Sequence, residues 1–209
     1  MITLYGFPKT RALRISWLLE ELGLSWQYQL VDFTQGEHRG DDYLGLNPAG
    51  KVPALKDGDL TLTESGAIAL HLAQTHGQGR LLPPPGSTEA GVHLQWLFYI
   101  VTELEQPLWT MGKHRFALPK AQRRAEVLET ARWEFAKALK EIDDRIPASG
   151  FLMGDQLTVA DLFLAHTLNW AVNFDQPLYD NADAFRLRLC AREALQRARE
   201  REDAAQASA

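Results

Sequence analysis

Apolar residues along this chain recur with two different periods, and the change comes near residue 80. Ile2 to Tyr5 is a short β-type run, broken by Gly6-Phe7-Pro8. Leu13, Ile15, Trp17, Leu18 and Leu22 then mark one face at helical spacing, with Gly23 placed to stop the helix. Trp26 to Val31 is a second strand candidate. Ala54-Leu55 and Leu60-Leu62 flank Asp57-Gly58, and a two-residue turn there, needing positive φ at its centre, makes the pair an antiparallel hairpin. Glu64-Ser65 opens a further run, Ala67, Ile68, Leu70 and Leu72, which predicts a helix whose first N–H groups have no intrahelical partner. Strand, helix and strand followed by a hairpin gives a mixed sheet with parallel and antiparallel pairs.

The stretch Gly77 to Ser87, GQGRLLPPPGS, sets three prolines between glycines and reads as a stiff, non-helical connector. It predicts domains over 1–78 and 88–209 with a linker over 79–87. Beyond it strand signals vanish, and the periodicity predicts helices over Val92 to Leu104, Ala121 to Ile146, Val159 to Phe174 and Ala184 to about Arg201. The small, polar tail Ala204 to Ala209 is expected to be disordered. Thr158 with Asp161 three residues later forms a capping box, flanked by Leu157 and Leu162 as a staple. Asp161 is therefore read as a folding signal rather than a catalytic carboxylate.

Composition narrows the field without choosing a function. The 209 residues, 45% hydrophobic and 23% charged, suffice to bury a core. A formal net charge of -5 weighs against nucleic acid as a partner, and the arginines near the C-terminus alternate with Glu193, Glu200 and Glu202. MITLYGFPK carries no signal-peptide pattern and no apolar run reaches membrane-spanning length, so a cytoplasmic protein without a membrane partner is expected. The single cysteine, Cys190, excludes an intramolecular disulfide and any Cys-x-x-Cys pair. Among Leu187, Leu189 and Leu195 it reads as a small hydrophobe. No His-Glu-x-x-His spacing and no phosphate loop occur, so no metal is expected.

The chemistry concentrates in Gly50 to Ser65, GKVPALKDGDLTLTES. Val52-Pro53 biases Val52 to an extended conformation, permits a cis bond in a tight bend and turns the Val52 N–H and C=O outward. The helix start at Ser65 favours a carboxylate ligand. A proline-bent strand, a hairpin and an acidic-Ser helix start resemble the glutathione-binding half of the cytosolic glutathione transferases, and the resemblance extends over the whole chain. Gly36-Glu37-His38-Arg39 and Lys51 to Ser65 look closest to theta-type members, and Thr10-Arg11-Ala12-Leu13-Arg14 is similar to certain fungal and bacterial ones. The resemblance implies an α/β N-terminal thioredoxin-like domain plus an all-α C-terminal helical domain. It also implies glutathione as co-substrate and a homodimer pairing one subunit's first domain with the other's second.

Site roles follow from the chemistry of the peptide. Its thiol must be held as thiolate, the nucleophilic form, and a pKa lowered by about two units needs only ~2.7 kcal/mol. A hydroxyl at a helix start can supply that through a charge-assisted hydrogen bond. Thr10 stands at such a start, four residues before Arg14, which matches the serine-to-arginine spacing of theta-like members. Its other possible role is a plain N-cap. Tyr5, the competing hydroxyl, lies inside the first strand. Threonine replaces the relatives' serine, and its extra methyl stiffens χ1. Ser65 suits the γ-glutamyl carboxylate, Glu64 the amine, and Val52, held by Pro53, the cysteinyl amide as an added strand. By resemblance Lys51 and His38 take the glycine carboxylate. Arg14 fits a structural ion pair with Glu20 or Glu21 as well as an activating role.

The second substrate, a hydrophobic electrophile, is expected over the sulfur, with Phe7, Tyr99, Trp109, Met111 and His114 as pocket residues. Two other functions fit the same fold: a non-catalytic protein-binding module and a glutathione-dependent peroxidase.

Overall fold

The computed structural model describes Met1 to Ser208 and contains two compact units, one formed by Met1–Leu82 with the segment from Ala191 onward, the other by Pro83–Cys190. The first holds strand β1 (Ile2–Gly6), helix α1 (Ala12–Leu22), strand β2 (Trp26–Leu30), a single 3-10 turn over Glu37–Arg39, short helix α2 (Asp41–Leu44), strands β3 (Ala54–Asp57) and β4 (Leu60–Thr63), and helix α3 (Ser65–His76). The sheet order is β2-β1-β3-β4, with β1 parallel to β2 and antiparallel to β3. This is the mixed sheet that the periodicity predicts, in the thioredoxin-like arrangement that the resemblance implies. Leu4, Ile15, Leu18, Leu19, Leu55, Ile68 and Leu72 are fully buried, so β1, β3, α1 and α3 turn their apolar faces to one core.

Gly6 is what lets α1 start so close to the sheet. A Cβ there would sit 2.6 Å from Ala12 Cβ and 2.8 Å from the Tyr28 hydroxyl oxygen, so any side chain would push the helix off β1. Gly23 ends α1 in the left-handed region, with the Leu24 N–H returning to the Leu19 carbonyl. In the hairpin Asp57 pairs with Leu60, so the turn centres on Gly58-Asp59, one residue later than the Asp57-Gly58 pairing that the sequence pattern predicts, and Gly58 alone takes positive φ.

The other unit is all helical: α4 (Thr88–Tyr99), α5 (Glu105–Gly112), α6 (Val127–Asp143), α7 (Val159–Asn173) and α8 (Asp180–Cys190). The helix expected over Val92 to Leu104 instead starts at Thr88 and passes into wide π-type turns over Ile100–Leu104, just ahead of Pro107. Proline supplies no N–H and its ring crowds the carbonyl four residues back, and a wide turn relieves both. A second wide segment covers Lys113–Ala117, and α6 is shorter than the run Ala121 to Ile146 suggests. The capping box is present: both the Thr158 N–H (2.8 Å) and its hydroxyl (2.7 Å) donate to Asp161 Oδ2. Asp161 Oδ1 also accepts the Leu152 N–H at 2.7 Å, tying the preceding loop to α7.

Two expectations for the C-terminal stretch are corrected. The predicted helix over 184–201 breaks between Cys190 and Glu193, and its second half, α9 (Glu193–Ala207), packs with the first unit rather than with residues 88–190. Polar partners explain the choice: Arg192 makes a paired contact with Glu21, Arg197 and Arg201 meet Glu20, and Glu202 Oε1 accepts the Ser16 hydroxyl at 2.6 Å. The Arg201 guanidinium also lies 4.5 Å over the Trp26 ring. The tail expected to be disordered from Ala204 continues α9 as helix to Ala207, and Ala209 lies outside the described residues.

Candidate functional site

Three turns of the first unit carry the residues in question: the loop from β1 to α1, the loop around His38 and Lys51, and the junction of β4 with α3. At the first, the Thr10 hydroxyl donates to the Phe7 carbonyl at 2.6 Å and accepts the Ala12 N–H at 3.2 Å. A carbonyl can only accept and an amide N–H can only donate, so the direction of both bonds is fixed. Thr10 therefore secures the start of α1, with its hydroxyl proton given to Phe7. Tyr5 pairs with Ala54 within β1 and turns its ring toward Tyr43 at 6.5 Å.

Arg14 is fully buried on α1 and reaches Ser65 Oγ at 3.5 Å, joining the starts of α1 and α3. The ion pairs suggested for Arg14 fall elsewhere in part, since Glu20 and Glu21 are engaged by Arg192, Arg197 and Arg201. Glu64 precedes α3 with φ +64°, a left-handed backbone uncommon for a residue other than glycine. Its side chain is exposed, whereas Ser65 is buried. A non-glycine residue held in that region marks a position that the surroundings over-determine.

Val52-Pro53 is a cis bond. Two residues absent from the sequence-based site fix the chain just ahead of it: the Tyr43 hydroxyl and Asn47 Nδ2 both donate to the Lys51 carbonyl at 2.6 Å. Asn47 also accepts the Ala49 N–H at 3.0 Å, and burial pushes the Tyr43 hydroxyl up to about 12. With the carbonyl doubly held, the Lys51 side chain remains exposed. Val52 packs against Val31, Tyr43 and Ala54 together with Tyr5 and Phe33. Phe33 extends that cluster, stacking on Phe7 at 4.7 Å and lying 4.7 Å from the His38 ring. Their sequence signal was weak, since an aromatic in a loop and a Tyr-x3-Asn pair look like ordinary packing.

His38 Nε2 accepts from Arg39 Nε at 3.2 Å, which leaves the ring proton on Nδ1, a buried atom with no hydrogen-bond partner among the described residues. An open cavity of about 290 Å³ is lined by His38, Arg39, Leu44, Pro48, Ala49 and Gly50. Gly50 permits this packing: it has φ +62°, and a Cβ there would lie 2.8 Å from the His38 carbonyl oxygen. The fold thus gathers Phe7, His38 and Val52 around Phe33 and joins the Thr10 helix to Ser65 through Arg14.

In the helical unit the expected pocket residues have diverse surroundings. Met111 is fully buried in the core, and the Tyr99 hydroxyl donates to the Ala138 carbonyl at 2.9 Å and contacts Glu141, with burial raising it to about 12. His114 Nδ1 accepts the Arg124 N–H at 2.9 Å, and Trp109 is half-buried on α5. Nearby, Phe116 and Trp170 meet Phe174 edge-on, with the Arg115 guanidinium 4.9 Å over the Phe174 ring.

Comparison with known proteins agrees with this geometry. Residues 1–74 match the family described as glutathione S-transferase, N-terminal domain, and residues 124–201 match glutathione S-transferase, C-terminal domain. The chain is 34% identical over 170 residues to glutathione S-transferase 3 of Zea mays, covering 77% of this chain and 73% of that one. It is 33% identical over 156 residues to glutathione S-transferase GstA of Escherichia coli O157:H7, covering 73% and 74%. Among solved structures, a glutathione transferase from Methylococcus capsulatus superposes with a TM-score of 0.85 at 32% identity, covering 97% of this chain and 99% of the other. The glutathione transferase URE2P6 of Phanerochaete chrysosporium, in complex with oxidized glutathione, gives a TM-score of 0.82 at 26% identity over 98% and 97%. With the mixed sheet, the cis-proline and both domain matches in hand, the chain belongs to the cytosolic glutathione S-transferase superfamily.

Proposed function

We propose that this protein is a theta-like glutathione transferase that joins the glutathione sulfur to a hydrophobic electrophile. The observation that carries this reading is the Arg14 link between the helix start at Thr10 and the helix start at Ser65. In this reading the α3 N-terminus and Ser65 take the γ-glutamyl carboxylate, and Glu64 takes the amine. Val52, with its preceding carbonyl pinned by Tyr43 and Asn47, pairs with the cysteinyl amide. The buried His38 Nδ1–H and the exposed Lys51 ammonium take the glycine carboxylate.

Thr10 is the activating group. Its hydroxyl leaves the Phe7 carbonyl and donates to the sulfur, where the bond is charge-assisted and backed by the positive end of α1. The thiolate then attacks the electrophile, the new carbon–sulfur bond forms, and the leaving group departs with the electron pair or, for an unsaturated acceptor, a proton is taken up. Within the first unit Phe7, stacked on Phe33, supplies apolar contact for the electrophile.

A second reading has its own support. The Thr10 hydroxyl is already engaged at 2.6 Å as a helix cap, which favours a protein that binds glutathione without activating it. Calorimetry and thiolate absorbance separate the two. Binding with a thiolate signal that Thr10→Ala removes is the expected result. Binding with no thiolate in the parent chain would establish the non-catalytic module, and no binding at all would defeat both readings.

A further inference from the structure

Outside the groove, the hairpin and α3 bring three ligand-type side chains together that sequence spacing does not reveal. Asp57 ends β3, and His71 and His76 lie five residues apart on α3. Both imidazole Nε2 atoms point at one carboxylate oxygen, with Asp57 Oδ2 lying 2.9 Å from His71 and 2.7 Å from His76. One donor atom from each residue falls within 4.8 Å of the others. The side chains are 16% to 28% exposed, so the cluster is held by its surroundings yet open to water.

We propose that Asp57, His71 and His76 form a binding site for a divalent transition-metal ion of the zinc, cobalt or nickel type. Two imidazoles and one carboxylate are the donor set these ions favour, whereas magnesium and calcium prefer all-oxygen shells. Metal–ligand bonds of about 2.0–2.2 Å in a tetrahedron set donor atoms roughly 3.3 Å apart. For an ion to replace the shared protons, the two histidines draw back from Asp57 by about half an ångström and settle at about that same donor spacing from each other. Water completes the shell on the exposed side. An outer-shell partner is at hand: Thr75 Oγ1 lies 3.4 Å from His71 Nδ1, so once an ion displaces the proton on Nε2 the ring can carry its proton on Nδ1 and donate it to Thr75. A bound ion would clip the hairpin to the last turn of α3, the helix whose first residue is Ser65.

Titration of the chelator-treated, glutathione-free protein with Co²⁺ and then Zn²⁺ tests this directly. A single site is expected, with tetrahedral cobalt absorbance that zinc displaces. Zinc at saturation should raise the melting temperature by a few degrees. His71→Ala and His76→Ala should each weaken binding by at least tenfold, as ligand loss does, and Asp57→Asn should weaken it less, while His38→Ala and His114→Ala leave it unchanged. If a histidine variant fails to fold, ¹⁵N spectra of the imidazoles in the unaltered chain give the answer: zinc should move the Nε2 signals of two histidines on one helix. Absence of cobalt absorbance, or binding that survives loss of both histidines, overturns the site.

Discussion

Each unit buries a titratable group that burial drives toward its neutral form, a carboxyl in the first and an imidazole in the second. In the first, Glu202 on α9 is nearly inaccessible, and burial raises its carboxyl to about 8 despite a hydrogen bond from Ser16 and one from the Lys9 N–H. In the second, His93 on α4 accepts the Ala160 N–H at 3.3 Å, and burial lowers its imidazole to about 4. Glu202 thus couples α9 to the residue before Thr10, whereas His93 does no more than join α4 to α7. The contrast recurs elsewhere. Two polar contacts of the first unit end on candidate binding residues, Ser65 and Lys51, whereas Asp161 in the helical unit ties a loop to α7.

Asp161→Ala should give the largest effect. It strips hydrogen bonds from the buried Thr158 N–H and hydroxyl and from the half-buried Leu152 N–H, and should cost about 2–5 kcal/mol in urea unfolding. Glutathione affinity, measured below the transition, should hold. A fall in affinity matching the fall in stability would erase the contrast between the units.

The pH response should come next. The folded chain keeps a proton on Glu202 that the unfolded chain releases, so this contribution is full below about pH 4.5 and drains away as pH rises through about 8. For His93 the sign reverses: the contribution is present above about 6.5 and is lost as pH falls through about 4. Hydrogen exchange should therefore show the first unit opening more readily in alkali, on the order of a few kcal/mol across the window, with Glu202→Gln removing the slope. Asp143 and Asp161, both raised mainly by burial, pull the helical unit the other way in acid, so comparison with His93→Gln isolates the histidine.

Thr10→Ala should lower kcat/KM by roughly 10–100-fold, the worth of one hydrogen bond to a charged group, and cost only about 1 kcal/mol of stability as a lost cap. The smallest change is expected from Asn47→Ala. It leaves Tyr43 alone on the Lys51 carbonyl and should weaken glutathione binding by several-fold through a looser Val52, with kcat little altered. A kcat effect larger than that on KM would move Asn47 from positioning the peptide to the reaction itself.

Local backbone signals made the first unit readable. Pro53, Gly58, Gly23 and the Glu64-Ser65 start each constrain only their neighbours, so their consequences can be read without knowing the rest of the chain. Arg14 was harder to place, because its partner Ser65 lies 51 residues away and nothing local favours a serine over Glu20. The same holds for Asp57 with His71 and His76, brought together only once the hairpin has turned back against α3. In the helical unit, periodicity located the helices but not the wide turns at Ile100–Leu104, which answer a proline three residues beyond them. The break after Cys190 was missed because both flanking segments are helical and only the distant partners Glu20 and Glu21 decide where the second one goes.

The return of α9 to the first unit sets an order on biosynthesis. A ribosome releases the whole Pro83–Cys190 unit before Ser16 and Glu21 can meet Glu202 and Arg192. The thioredoxin-like half, though translated first, therefore reaches its finished state last, and until then the α1 surface that receives α9 stays open to water. A fragment ending at residue 190 should hold a protected helical unit beside a poorly protected first unit, the reverse of simple vectorial folding.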